Sequence, residues 1–126
     1  MFTISDDLRK IADKVISERK DLAGPAMPEC RIAYLYSDQE KKSSRRKVYA
    51  DTEKVGDKAK TLMPFDFIIT FYQPNCAALP PEKMELLMYH ELRHVGFDPD
   101  GKCHIIPHDV EDFSDILEEH GMRWIV

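Results

Sequence analysis

One carboxylate narrows the fold of this chain more than any other feature. In the stretch LLMYHELRHVGF, residues 86 to 97, the positions that share one helical face with 91 are 84, 87, 88 and 95, and the set reads Met84, Leu87, Met88, Glu91 and Val95. An ionised carboxylate taken out of water without a partner is strongly destabilising, or its pKa rises until it is neutral, so a purely structural helix would carry Leu or Ile there. A compensating group must therefore lie beside Glu91.

His90 and His94 are four residues apart, hence one turn apart on the same side of the helix, and both flank the stripe next to Leu87. Two imidazoles so placed can converge on one cation. Residues 90 to 94 read His-Glu-Leu-Arg-His, the HExxH pattern, in which the histidines bind Zn²⁺ and the intervening Glu reaches a water on the metal. Zinc lowers the pKa of that water to roughly 7, and the carboxylate takes its proton as it attacks a carbonyl. The competing explanation is a pair of hydrogen-bonded interior histidines, with Glu91 ion-paired to Arg9 or Arg31. Context favours the metal: the pattern sits late on an expected helix, a strong strand precedes that helix, and a glycine follows.

A catalytic zinc site usually has three protein ligands plus water. Downstream candidates are Asp100, His104, His108, Asp109, Glu111 and Asp112. Asp100 is ten residues after His90, as in the longer HExxHxxGxxH/D motif, but Phe97 stands where that motif needs glycine and Gly96 comes one residue early. His108 follows Pro107 at the mouth of the last expected helix, so its side chain need not join that helix's apolar face and can reach back to a metal. It leads the candidates, with Asp109 or Glu111 next. Asp109 or Asp112 can instead accept from an imidazole N–H, as ligating histidines commonly require. The acids of HDVED also suit a helix N-terminus, and His120 suits a C-terminus.

The rest of the chain supplies an α+β frame. Ser5 can cap a helix over about 6 to 20, whose Leu8, Ile11, Val15 and Ile16 recur at three- and four-residue steps. RIAYLYS (31 to 37) and KVYAD (47 to 51) read as strands joined by an exposed loop, and FDFIITFY (65 to 72) is the clearest strand. Residues 53 to 62 form a short helix or an irregular connection, Gly56 weakening the helix. Pro80-Pro81 suits the start of the HExxH helix, expected over 81 to 95 and ended by a left-handed Gly96. A turn at DPDG, an extended KCHII and a final helix over about 109 to 120 complete the chain, with Val110, Phe113, Ile116 and Leu117 inward.

With 126 residues the chain fits a single domain, 1–126. Its 43% hydrophobic and 33% charged composition is that of a soluble globular protein, and no apolar run approaches membrane-spanning length. The net charge of -5 gives no reason to expect a nucleic-acid or anionic-membrane partner. KKSSRRK, 41 to 47, is a local basic exception without interleaved aromatics, best read as a solvated hairpin tip. Cys30, Cys76 and Cys103 are odd in number and form no CxxC pair, so neither a disulfide framework nor a thiolate zinc cluster is expected; with no secretory signal, a reducing cytoplasm is.

YHELRHVGF followed by PHDVEDFSDILEEHG resembles the phage-type metallopeptidases, small zincin-like domains of phages and prophage-bearing bacteria, over about residues 65 to 124. The resemblance implies a minimal zincin-like fold: a small sheet of three to four strands packed with an N-terminal helix, the HExxH helix and a C-terminal helix. It implies Zn²⁺ held by His90, His94 and His108, Glu91 as general base, and a peptide or protein substrate lying along an edge strand, FDFIITFY or its neighbour. The alternative in the same lineage is a zinc-binding, non-hydrolytic protein-interaction module, in which zinc joins the last two helices.

Overall fold

The structure, a computed structural model, describes residues 1–107. The final helix expected at 109 to 120 lies outside the described residues. Thirteen elements follow in order among those described. They are β1 (Phe2–Ile4), α1 (Asp6–Glu18), α2 (Ala23–Ala26), β2 (Ile32–Ser37), β3 (Lys42–Ser43), β4 (Arg46–Lys47), β5 (Ala50–Lys54), α3 (Asp57–Lys60), β6 (Phe67–Tyr72), α4 (Gln73–Cys76), α5 (Pro81–Leu92), β7 (Val95–Phe97) and β8 (Cys103–Ile105). The fold is α+β, with five helices and a mixed four-stranded sheet in the order β1-β2-β6-β5.

β2 and β6 pair in parallel, from Ile32 opposite Phe67 to Ser37 opposite Tyr72. β1 and β5 flank them antiparallel, so among the described residues both are sheet edges. Side chains alternate across a strand, which puts Phe67, Ile69 and Phe71 on one face of β6, all fully buried. Against that face pack Leu8, Ala12 and Val15 of α1 and Leu87, Met88 and Leu92 of α5. Helix α1 forms as its sequence requires: the Ser5 hydroxyl accepts from Leu8 N–H at 3.1 Å, and Asp6 and Asp7 lie in the first turn, where the helix dipole favours them.

Three expectations change. The strand placed at 47 to 51 is shifted, because Lys47 closes the small β3–β4 hairpin and the sheet strand β5 begins at Ala50. The basic run is indeed an exposed hairpin tip, turning through Ser44 and Arg45, both at positive φ (50° and 68°). The HExxH helix ends at Leu92 rather than 95, since Val95–Phe97 gains a β-ladder with Cys103–Ile105 across the DPDG turn. Gly96 is therefore a strand residue and not a left-handed helix end. It faces His104 across the ladder, and that imidazole occupies the space a Cβ would fill. Among the described residues no helix is long and apolar enough to cross a membrane.

Cys30, Cys76 and Cys103 are free thiols, and burial pushes those of Cys30 and Cys76 up to about 12. Where β6 begins, Asp66 is 5% exposed and accepts from Arg31 N–H at 2.9 Å, with Lys60 Nζ at 3.3 Å and Arg31 Nε at 3.6 Å. Burial by itself would raise its pKa, but the Arg31 amide and the Lys60 and Arg31 cations outweigh it and hold the carboxyl below its ordinary 3.8. A depressed folded pKa contributes stability above the unfolded value that is lost as pH falls through the folded one. Acid titration of unfolding free energy should therefore show wild-type stability falling below about pH 4, while Asp66→Asn is less stable at neutral pH and has a shallower acid slope. An unchanged slope in the variant would show that Asp66 is not a source of the acid sensitivity.

Candidate metal centre

Helix α5 opens on Pro81, whose missing N–H costs nothing at a first helical position. Its last turn presents His90 and Glu91. Beyond Leu92 the helical path continues for one residue, Arg93 at φ -66° and ψ -20°, and His94 N–H donates to Glu91 O at 3.0 Å. This tightened turn keeps His94 one turn from His90 although it lies past the helix end. The two ring centroids are 5.4 Å apart, with the rings at 82° to one another. Two imidazoles bound to a tetrahedral ion at about 2 Å would place their centroids roughly 5 Å apart, so the pair fits a shared cation.

His90, Glu91 and His94 line one cavity of about 340 Å³ between α5 and the edge strand β5, which contributes Ala50, Asp51 and Thr52. Lys41 and Ser43 of the basic hairpin also line it. A larger cavity of about 490 Å³, between α1 and β2, contains no histidine and is separate from this chemistry.

Glu91 is 4% exposed. The Thr52 hydroxyl, reaching from β5, donates to Glu91 Oε1 at 2.7 Å and also lies 3.2 Å from the Glu91 carbonyl oxygen. Arg31, one of the partners considered for Glu91, is engaged with Asp66 instead. The sequence offered one signal for Thr52, a β-branched residue at strand spacing, but with the strand set at 47 to 51 it fell outside. His94 is oriented from the other side: its Nδ1 lies 2.8 Å from the Ile106 carbonyl oxygen. A carbonyl only accepts, so Nδ1 donates this bond, and in the neutral ring with that tautomer Nε2 is the nitrogen that can bind a metal.

The remaining candidates divide. His104 sits over Gly96, with Nδ1 3.8 Å from Asp98 Oδ1, and lines a different cavity beside α2. Asp100 belongs to the exposed turn, accepting from Lys102 N–H at 3.3 Å. Neither lines the cavity of His90 and His94. His108, Asp109, Glu111, Asp112 and His120 lie outside the described residues. Among the described residues no group of three or more His, Cys, Asp or Glu is arranged to hold an ion. The last described residues are bonded to His94. Ile106 N–H donates to His94 O at 2.8 Å, and Ile106 O accepts from the His94 ring.

A family model described as "Putative phage metallopeptidase" matches residues 1–126. No curated protein and no solved structure matches the chain.

Removing the donor to a buried carboxylate should be costly. Thr52→Val, which keeps the side-chain shape, should lower the unfolding free energy in denaturant titration by about 1.5–3 kcal/mol, as for a hydrogen bond to a charged group. Thr52→Ser should recover most of the loss. A valine variant as stable as wild type would mean that the contact contributes nothing.

Proposed function

The chain belongs to the phage metallopeptidase family, and on that premise we propose that it is a zinc-dependent peptidase whose centre is the cavity between α5 and β5. The observation that carries the reading is Glu91, a nearly fully buried carboxylate that shares this cavity with two imidazoles at metal-binding separation. His90 and His94 would hold the ion. His108 is the proposed third ligand, because it follows only two residues after Ile106, whose backbone is bonded to His94, and two residues span at most about 7 Å.

Zn²⁺ held there supplies Lewis acidity, acidifying a water and polarising a peptide carbonyl. The protein's own groups do the rest. Glu91 takes a proton from the attacking water and passes it to the leaving amine. Thr52 holds Oε1 of that carboxylate, fixing its direction, and the Ile106 carbonyl fixes the ring plane of His94. Among the described residues β5 is a sheet edge and lines the cavity, so an extended peptide would add to it by main-chain pairing and lie across Glu91. The expected edge strand was FDFIITFY or its neighbour; β6 is internal among the described residues, and the proposal assigns the role to its neighbour β5. The partner implied is a peptide or protein substrate, met in the cytoplasm.

Elemental analysis and cleavage of peptide libraries test the assignment together. Glu91→Gln should retain zinc but lose about 10²–10⁴-fold of its hydrolytic rate, the usual contribution of a general base. His90→Ala and His108→Ala should each lose the zinc. Full activity in Glu91→Gln overturns the mechanism, and wild-type protein that binds zinc without cleaving any peptide is a non-hydrolytic interaction module instead.

A further inference from the structure

The β3–β4 hairpin is built against local preference. Residues 41 to 47 carry Lys41, Lys42, Arg45, Arg46 and Lys47 and no acid, in a chain of net charge -5. Lys42 and Lys47 stand directly opposite one another in the antiparallel pair, where like charges repel. The turn places Ser44 and Arg45 at positive φ, which Asn-Gly would adopt with far less strain. A segment needed only to connect β2 with β5 has no reason to combine these features.

Its base is nonetheless fixed. Buried Asn75 donates to the carbonyl oxygens of Lys41 and Val48 at 2.9 and 2.8 Å, and Val48 N–H donates to Lys41 O at 2.9 Å. Lys41 is neutralised by Asp51, which also accepts from the Tyr72 hydroxyl. Among the described residues no carboxylate lies within ion-pairing range of Lys42, Arg45 or Lys47. Lys41 and Ser43 of this hairpin line the cavity that contains Glu91, and Lys42, Arg45 and Lys47, which do not line it, stand on the same hairpin just before the edge strand β5.

We infer that this hairpin selects acidic substrates: peptides with Asp or Glu side chains on the side of the scissile bond that lies against residues 42 to 47. The inference rests on the peptidase reading and deepens it. A peptide along β5 runs past the hairpin as it leaves the cavity, so its acidic side chains meet the lysines and the arginine without entering the metal centre. The charges that repel one another in the free hairpin are then relieved by the ligand. A nucleic acid is the lesser match, because no aromatic residue interleaves the basic run to stack a base.

The test uses the zinc-loaded Glu91→Gln chain and fluorescein-labelled short peptide pools, one enriched in Asp and Glu, one in Lys and Arg, one uncharged, read by fluorescence anisotropy at low and high salt. The acidic pool should bind roughly tenfold more tightly than the uncharged one, as expected from several exposed charge pairs, and the difference should shrink with salt. The triple variant Lys42→Glu, Arg45→Glu, Lys47→Glu should reverse the order while keeping zinc content and melting temperature. Equal affinity for all pools, or tighter binding of a single-stranded oligonucleotide of matched charge, overturns the inference. Wild-type enzyme that cleaves peptides with no preference for acids sinks this inference and leaves the peptidase reading standing. Acid-selective binding in a chain that never cleaves does the reverse.

Discussion

The architecture turns on a carboxylate held out of water at the junction of α5 and β5. Glu91 cannot be buried alone, and Thr52 answers it from a strand 39 residues earlier in the chain. That bond requires the last turn of α5 to sit against the sheet edge. Leu87, Met88 and Leu92 make this possible by filling the space above Phe67, Ile69 and Phe71. Core packing positions the helix, and a polar contact fixes its end. A leucine at position 91 would satisfy the packing and remove the acceptor of the Thr52 hydroxyl.

The same economy governs the far side of the centre. α5 stops short so that Val95–Phe97 can pair with Cys103–Ile105, and the returning strand delivers the Ile106 carbonyl to His94. Gly96 permits this because His104 lies where its side chain would be. A histidine outside the cavity and a glycine with negative φ thus serve the orientation of a histidine inside it. The β7–β8 hairpin is best understood as the support of the site's second imidazole.

Much of this was legible in the residues. The Ser5 cap and its amphipathic helix, the strands at 32–37 and 67–72, and the HExxH turn follow from local pattern, and the structure repeats them within a few residues. What failed did so where contacts distant in sequence decide. Lys47 and Tyr49 look like strand residues, yet the pairing of β5 with β6 begins at Ala50. Gly96 followed by Pro99 imitates a helix stop, but Val95 and Phe97 pair across the DPDG turn with the extended segment at 103–105, an expected turn and strand whose partner was assigned to the helix. Thr52 shows in the sequence only as a β-branched residue beyond the expected strand, because its bond to Glu91 exists only across a gap that the fold closes.

The central claim is that imidazoles of this chain share one zinc ion beside Glu91. X-ray absorption at the zinc edge of the full chain, loaded with one equivalent of metal, tests it most directly. The account predicts nitrogen and oxygen donors at about 2.0–2.1 Å with outer-shell scattering from imidazole rings, weakened in His94→Ala. A sulfur donor at about 2.3 Å, or a spectrum without imidazole scattering, would contradict it.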